Sequence, residues 1–235
     1  MLDDFGDKIT EYLPYLEDLR IRLYRGAILF CVMFIAGFFS TSFFLKYLLI
    51  ALHVEGVTIA TTSPFQFADL AMNCGFFMAS LVVFPYIIFT LFSFVSPGLT
   101  KKEKGKFFLA LPASIILFIV GFLYGVVLFY YGLNFLAQLN IALGIANIWD
   151  IGMFISQILV TATLLGILFE YPMILTLLIR SGFISTALLR SKRKLAIVTV
   201  FIFVALLPPT DGISLIAMSV PLLGLYEATL LLNNS

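Results

Sequence analysis

Lys101-Lys102-Glu103-Lys104-Gly105-Lys106 (101–106) stands between two apolar runs, 67–95 and 107–131. An apolar run of about 20 residues is long enough to cross a hydrocarbon core of about 30 Å. A short loop rich in Lys and Arg stays on the cytoplasmic side, because its translocation is disfavoured during insertion. Working outward from this loop, the same contrast recurs. Of the 14 lysines and arginines, all but Lys46 fall in three places. These are the N-terminus (Lys8, Arg20, Arg22, Arg25), the 101–106 loop, and a segment near position 185 (Arg180, Arg190, Lys192, Arg193, Lys194). The three clusters mark one face of a membrane to which the chain repeatedly returns.

Composition agrees. The chain is 62% hydrophobic and 11% charged, with a mean hydropathy of +1.11, against about 25% charged residues in a soluble domain. Apolar runs at 26–47, 67–95, 107–131, 151–179, 195–207 and 213–232 predict six transmembrane helices. The loops 48–66, 132–150 and 208–212 carry no Lys or Arg, so the alternation reads N-in and C-in. Lys46, at the outer edge of the first span, can snorkel to the interface. The expectation is an all-α polytopic membrane protein with short fifth and sixth helices. It is read as one bundle over 1–235, with a cytoplasmic amphipathic segment at 1–25 and the transmembrane bundle at 26–232.

Local signals refine this picture. The fifth run, at 13 to 15 residues, reaches only about 20–22 Å, which predicts a thinned bilayer around the last hairpin. Pro208-Pro209-Thr210-Asp211-Gly212 is a turn signal. Short capping helices are expected at 63–67 and within 133–150, with Trp149 and Tyr130–Tyr131 at an interface. Asp3, Asp4, Asp7 and Glu11 leave no cleavable signal sequence at the start, so the first span reads as an uncleaved signal-anchor. Cys31 and Cys74 lie in apolar runs and read as free thiols.

A carboxylate inside an apolar segment is costly and is therefore a functional candidate. Glu170 lies within a span, between Phe169 and Tyr171, with Pro172 predicted to kink the helix. Ser156, Thr163 and Glu170 recur every seven residues and share one helical face. They form either an interhelical hydrogen-bonded seam or the polar wall of a cavity. Asp69, Asn73 and Ser80 share a face of the second span, with Asp69 near the outer surface. Asp211 either caps the last helix or acts functionally, and Glu227 either pairs with a basic loop residue or acts functionally. On the cytoplasmic side, 12–25 reads as an amphipathic helix with Leu16, Leu19 and Leu23 on one stripe. Its Asp18 stands four residues before Arg22, an ion-pair spacing. Glu17, Asp18 and Glu103 together could receive a cationic ligand, because a guanidinium pairs bidentately with a carboxylate. His53 is the lone histidine, and no nucleotide-binding, nucleophile or metal-ligating spacing occurs. No enzyme, cofactor, metal or nucleic-acid partner is expected.

Ordered stretches along nearly the whole chain resemble the TatC family of twin-arginine protein translocases. Tyr15-Leu16-Glu17-Asp18-Leu19-Arg20-Ile21-Arg22-Leu23 resembles the family's HLxELRxRL opening. Ser63-Pro64-Phe65 is similar to its outer-loop SP step, and Phe94-Val95-Ser96-Pro97-Gly98-Leu99-Thr100-Lys101-Lys102-Glu103-Lys104 to its F-x-x-P-x-L-x-x-x-E-[KR] loop. Phe169-Glu170-Tyr171-Pro172 matches its FExP step. Pro209-Thr210-Asp211 and Pro221-Leu222-Leu223-Gly224-Leu225-Tyr226-Glu227 resemble its outer turn and closing helix. Tyr15, Asp18, Thr210 and Leu215 depart from the common pattern.

The resemblance implies a receptor for folded precursors bearing Arg-Arg signal peptides. It places the arginine-binding carboxylates at Asp18 and Glu103, with Glu17 near enough to share the role. It marks Glu170, Asp211, Pro64, Phe94, Pro97 and Glu227 as functional positions. It also implies single-span partners of the TatA/TatB type, self-association, the lipid bilayer as surroundings, transport drawing on the proton gradient, and a bacterial or archaeal plasma membrane or an organelle membrane. A small ion-coupled carrier using Glu170 and Asp69 is the competing reading, and a structural subunit of a respiratory complex is a third.

Overall fold

A computed structural model describes residues 2–51, 57–60, 63–95, 110–208 and 212–233, with side chains placed for all of these except 2–16, 18, 19, 48, 49, 51, 57, 59, 94, 95, 110, 111 and 151. Helix α1 (Leu2–Phe39, 38 residues) is followed by α2 (Thr41–Ala51), strand β1 (Val57–Ala60) and α3 (Gln66–Val95). Then come α4 (Ala110–Ala142), strand β2 (Asn147–Asp150), α5 (Ile151–Leu168) and α6 (Tyr171–Arg180). The described chain ends with α7 (Thr186–Ser191), α8 (Arg193–Ala205) and α9 (Gly212–Leu232).

Five described stretches are long and apolar enough to cross a bilayer: Arg20–Phe39, Gln66–Ser93, Pro112–Ala142, Gly152–Arg180 and Gly212–Leu232. The chain is thus polytopic and helical, as expected. The fifth run of the sequence reading is α8. Its 13 residues extend about 20 Å, short of a bilayer core. The sixth is not short: α9 has 21 residues and extends about 31 Å. Pro221 lies inside it without ending it.

The expected separate amphipathic segment is continuous with the first span, because no Pro or Gly breaks the chain between Tyr15 and Arg25. The predicted helix within 133–150 is instead the last three turns of α4, which runs unbroken to Ala142 over 33 residues. Gly144, at φ +72°, makes the turn that follows, a conformation that costs a residue without Cβ nothing.

Beyond that turn lies a feature with no counterpart in the sequence reading. β2 pairs in parallel with β1, Val57 opposite Asn147 and Ala60 opposite Asp150. Both strands come from loops without Lys or Arg, so the pairing places those loops at one end of the bundle. That end is the outer one by the charge rule. Asn147, buried, donates to the Ala137 carbonyl at 3.0 Å and accepts from Asn140 at 2.8 Å. Gln66 donates to Asp150, which also caps α5 by accepting from the Met153 amide at 2.8 Å.

Three helices make the centre. α3 and α5 run parallel, and α4 runs against both. Leu70, Cys74, Phe129, Ile155, Ile158 and Leu159 form the outer part of the core. A second cluster, Leu165, Phe169, Val204, Leu207, Met218 and Leu222, joins the α8–α9 hairpin to α5. Hydroxyls pin the hairpin. Pro221 has no N–H, so the Ala217 carbonyl four residues earlier loses its helical donor. Tyr124 of α4 donates to that carbonyl at 2.6 Å. Thr161 donates to the Pro208 carbonyl at 2.6 Å. Thr161 is ten residues into α5, so the hairpin tip sits about 15 Å inward of the outer end of that helix. The short fifth run is therefore anchored below the outer rim.

Candidate functional site

At the basic end the first candidate element is α1. Glu17 and Arg20 are exposed on it. The helix is held against α3 by close backbone approach. A Cβ on Gly37 would stand 2.8 Å from the Cys74 carbonyl oxygen and 2.9 Å from the Gly75 Cα, and one on Gly75 would stand 2.8 Å from the Phe34 oxygen. Nearer the basic end, Gly26 faces the Tyr86 ring, and the Tyr86 hydroxyl donates to the Arg22 carbonyl at 3.4 Å. Glu17 is thus carried just over one turn beyond the part of α1 that is held on α3, between Arg22 and Gly37, which limits the entropy lost when a ligand binds there. α3 ends at Val95, so the chain leading to Glu103 departs from the same packed pair. The side chains of Asp18 and Phe94, and residues Pro97, Glu103 and Asp211, lie outside the described residues.

The second site surrounds Glu170. The helical stretch 151–180 breaks where the sequence predicted, with Glu170 between α5 and α6 and Pro172 in the first turn of α6. Pro172 cannot donate to the Leu168 carbonyl, which loosens the ladder there. Glu170 is 1% exposed. The Ser114 Oγ of α4, itself fully buried, lies 2.7 Å from both carboxyl oxygens. One hydroxyl proton serves one oxygen at a time, so the contact binds the break in α5–α6 to α4. Replacing Ser114 by Ala leaves the carboxyl without that donor and is expected to lower stability by about 1–3 kcal/mol. A detergent unfolding titration measures this. Glu170→Gln, which keeps an acceptor facing Ser114, should cost less. An S114A protein as stable as the parent would show that the contact contributes nothing.

The proposed seven-residue seam is divided by the structure. Ser156 lines an outer cavity of about 520 Å³ with Asp69, Asn73, Asp150 and Gln66. Thr163 and Ser80 are buried deeper, and neither hydroxyl has a hydrogen-bond partner among the described residues. Asp69 and Glu170 do not meet. Asn73 and Ser156 face one cavity, so the parallel α3 and α5 are in register there, and Asp69 lies near the level of Gly152. Glu170 is a further 18 residues along, about 27 Å. A carrier site shared by these two acids is thereby excluded.

The remaining positions are accounted for locally. Pro64 is exposed in the turn that opens α3, where the Ser63 Oγ accepts from the Phe65 amide at 3.3 Å. Glu227 pairs with Arg193 at 2.9 Å, both side chains half-exposed. Cys31 and Cys74 are free thiols. Ser114, Tyr86 and Tyr124 did not emerge from sequence reading. Each is a single polar group in an apolar helix, and only the position of the facing helix reveals its partner. The freed carbonyl implied by Pro221 was a usable signal for Tyr124.

The chain can be set beside known proteins. A family model described as Sec-independent protein translocase protein (TatC) matches residues 14–221. The chain is similar to the Sec-independent protein translocase protein TatCy of Bacillus subtilis (strain 168), 31% identical over 227 residues that make up 95% of this chain and 88% of that one. It is similar to the protein TatC of Aquifex aeolicus (strain VF5), 33% identical over 233 residues, 94% of each chain. A crystal structure of the twin-arginine translocase receptor TatC matches with a TM-score of 0.77 at 31% identity, covering 93% of this chain and 99% of that one.

Proposed function

This chain belongs to the TatC family of Sec-independent protein translocase proteins, and from that premise we propose that it is the subunit that receives twin-arginine signal peptides at the cytoplasmic face. As a family member it is a multi-pass membrane component of a protein translocase. The observation that supports the finer reading is the exposed Glu17 near the cytoplasmic end of α1, five residues before the Arg22–Tyr86 contact that holds this helix on α3. Asp18 is next to it in sequence, and Glu103 follows α3, the partner of that helix. Carboxylates on a cationic surface are a minority charge. They attract guanidinium, whose bidentate pairing with a carboxylate offsets the repulsion that the surrounding Arg and Lys exert on every cation, so a cation without that pairing is disfavoured.

An apolar stretch following the two arginines would lie along the membrane-embedded helices. Glu170, buried against Ser114, holds the bend of α5–α6 in this reading and serves no transported solute. The α8–α9 hairpin and the exposed apolar faces are surfaces on which single-span subunits of the TatA/TatB type, or further copies of the chain, would assemble.

The test is photo-crosslinking. A probe at position 17, or in the 101–106 loop, should capture a peptide carrying Arg-Arg and an apolar run. Capture should fall strongly for a Lys-Lys peptide, since an ammonium lacks the planar fork of a guanidinium. Equal capture of both peptides would reject the assignment.

A further inference from the structure

Where α6, α7, α8 and α9 converge at the basic end, a groove of about 250 Å³ is lined by Tyr171, Leu175, Leu189, Ala196, Val200 and Lys192, among others. Its walls are fixed. The Tyr171 hydroxyl donates to the Leu222 carbonyl, and the Tyr226 hydroxyl to the Leu189 carbonyl at 2.8 Å. The face of α8 beside the groove is apolar and exposed at Leu195, Val198 and Ile202, which is what a lipid-facing helix shows. Lys192 lines the mouth, and Arg190 and Lys194, two residues before and after it in sequence, are exposed like it. Arg193 is paired with Glu227, and no acidic residue occurs between Tyr171 and Thr210. An apolar slot whose cationic mouth has no acidic partner among the described residues therefore sits at the cytoplasmic membrane surface.

We propose that this groove binds an anionic phospholipid, with an acyl chain between α6 and α8 and the phosphate at Lys192, Arg190 and Lys194. Charge complementarity selects the occupant. A twin-arginine peptide would bring cations to a cationic mouth and be repelled, whereas a lipid phosphate is attracted. The apolar walls do not discriminate between lipids, because a lipid tail is as apolar as leucine and gains little by moving from bilayer to groove. Selectivity must come from the headgroup. Each basic side chain near an anionic headgroup is worth about a five-fold preference. Such a lipid would fix the α7 corner that connects α6 to the short α8. The proposal does not depend on the signal-peptide reading.

The test is native mass spectrometry of the purified full chain, delipidated in detergent and titrated with dioleoyl phosphatidylglycerol or dioleoyl phosphatidylcholine. The parent protein should retain the anionic lipid preferentially. Lys192→Gln should lower that retention about five-fold and leave phosphatidylcholine unchanged, with an unaltered unfolding midpoint. Ala196→Trp, which fills the groove, should lower retention as well, and Lys46→Gln at the outer edge should not. Equal retention of the two lipids by the parent, or parental retention by both K192Q and A196W, would overturn the proposal. So would displacement of the bound lipid by a twin-arginine peptide, which would assign the groove to the cargo.

Discussion

A protein carrying lysine at both position 18 and position 103 is expected to lose measurable binding of a twin-arginine signal peptide while keeping its fold. A hydrogen bond to a charged group contributes about 1.5–3 kcal/mol, so losing one carboxylate should weaken binding roughly 10- to 100-fold. Reversal adds repulsion to that loss. Each single variant, Asp18→Lys or Glu103→Lys, should therefore fall toward the upper end of that range. The double variant should drop below detection in a fluorescence-anisotropy titration with a labelled peptide.

Both positions lie in cytoplasmic segments, so neither substitution places a charge in the hydrocarbon core, and the unfolding midpoint should barely move. Glu17→Gln separates two versions of the site. If Glu17 shares the arginines with Asp18, the loss should be several-fold and should deepen in an Asp18→Asn background. If Glu17 only faces water, it should be silent. A double-lysine protein that binds within two- to three-fold of the parent would end the carboxylate account. So would a parent protein indifferent to Lys-for-Arg exchange in the peptide.

Much of this architecture was legible because membrane insertion separates charge so strongly. The Lys101–Lys106 cluster and its two counterparts dictate which loops share a face. The β1–β2 pairing at the opposite end is the structural consequence of the same alternation. Pro172 announced the break at Glu170, and the 13-residue α8 could be counted directly.

Other features depend on partners distant in sequence. Val57–Ala60 and Asn147–Asp150 are too short for alternation to show, and they become strands only because the ends of α2 and α4 bring them together. The Ser114–Glu170 contact spans 56 residues and the Tyr124–Ala217 contact 93, and no local pattern encodes either. The sixth helix was expected to be short because its apolar run, 213–232, is briefer than those of the second to fourth spans, and Pro221 lies inside it. It continues because Tyr124 supplies the hydrogen bond that the proline removes. The amphipathic opening and the first span looked like separate pieces because their compositions differ. Helical geometry is indifferent to that difference when no breaker intervenes.

Replacing both Gly37 and Gly75 by leucine is expected to prevent α1 from packing on α3 and to abolish a monodisperse folded protein in detergent. Apart from the Met78 Cβ, which is fixed to its own main chain, the contacts that decide this are with backbone atoms. A Cβ on Gly37 would stand 2.7 Å from the Met78 Cβ, 2.8 Å from the Cys74 oxygen and 2.9 Å from the Gly75 Cα, and one on Gly75 would stand 2.8 Å from the Phe34 oxygen. Main chain cannot rotate aside as a side chain can, so the helix axes must separate, and the close approach that drives association in lipid is lost.

The single alanine variants give the graded form of the test. Alanine gains about 1 kcal/mol over glycine in helix propensity. Overpacking at a backbone contact costs about 1–3 kcal/mol, so Gly75→Ala should be destabilised overall. Gly26 provides the contrast. Its added Cβ would stand 3.4 Å from the Tyr86 ring, close to ordinary contact, so Gly26→Ala should be neutral or stabilising. The expected ranking of unfolding midpoints is Gly26→Ala above the parent or equal to it, Gly75→Ala below, and the double leucine variant unfolded. Signal-peptide affinity should follow the same order, because α1 positions Glu17 and Asp18 only while it rests on α3. If Gly75→Ala proved as stable as Gly26→Ala, the crossing would not be what holds α1 in place, and the rigidity on which the arginine site depends would have to come from elsewhere.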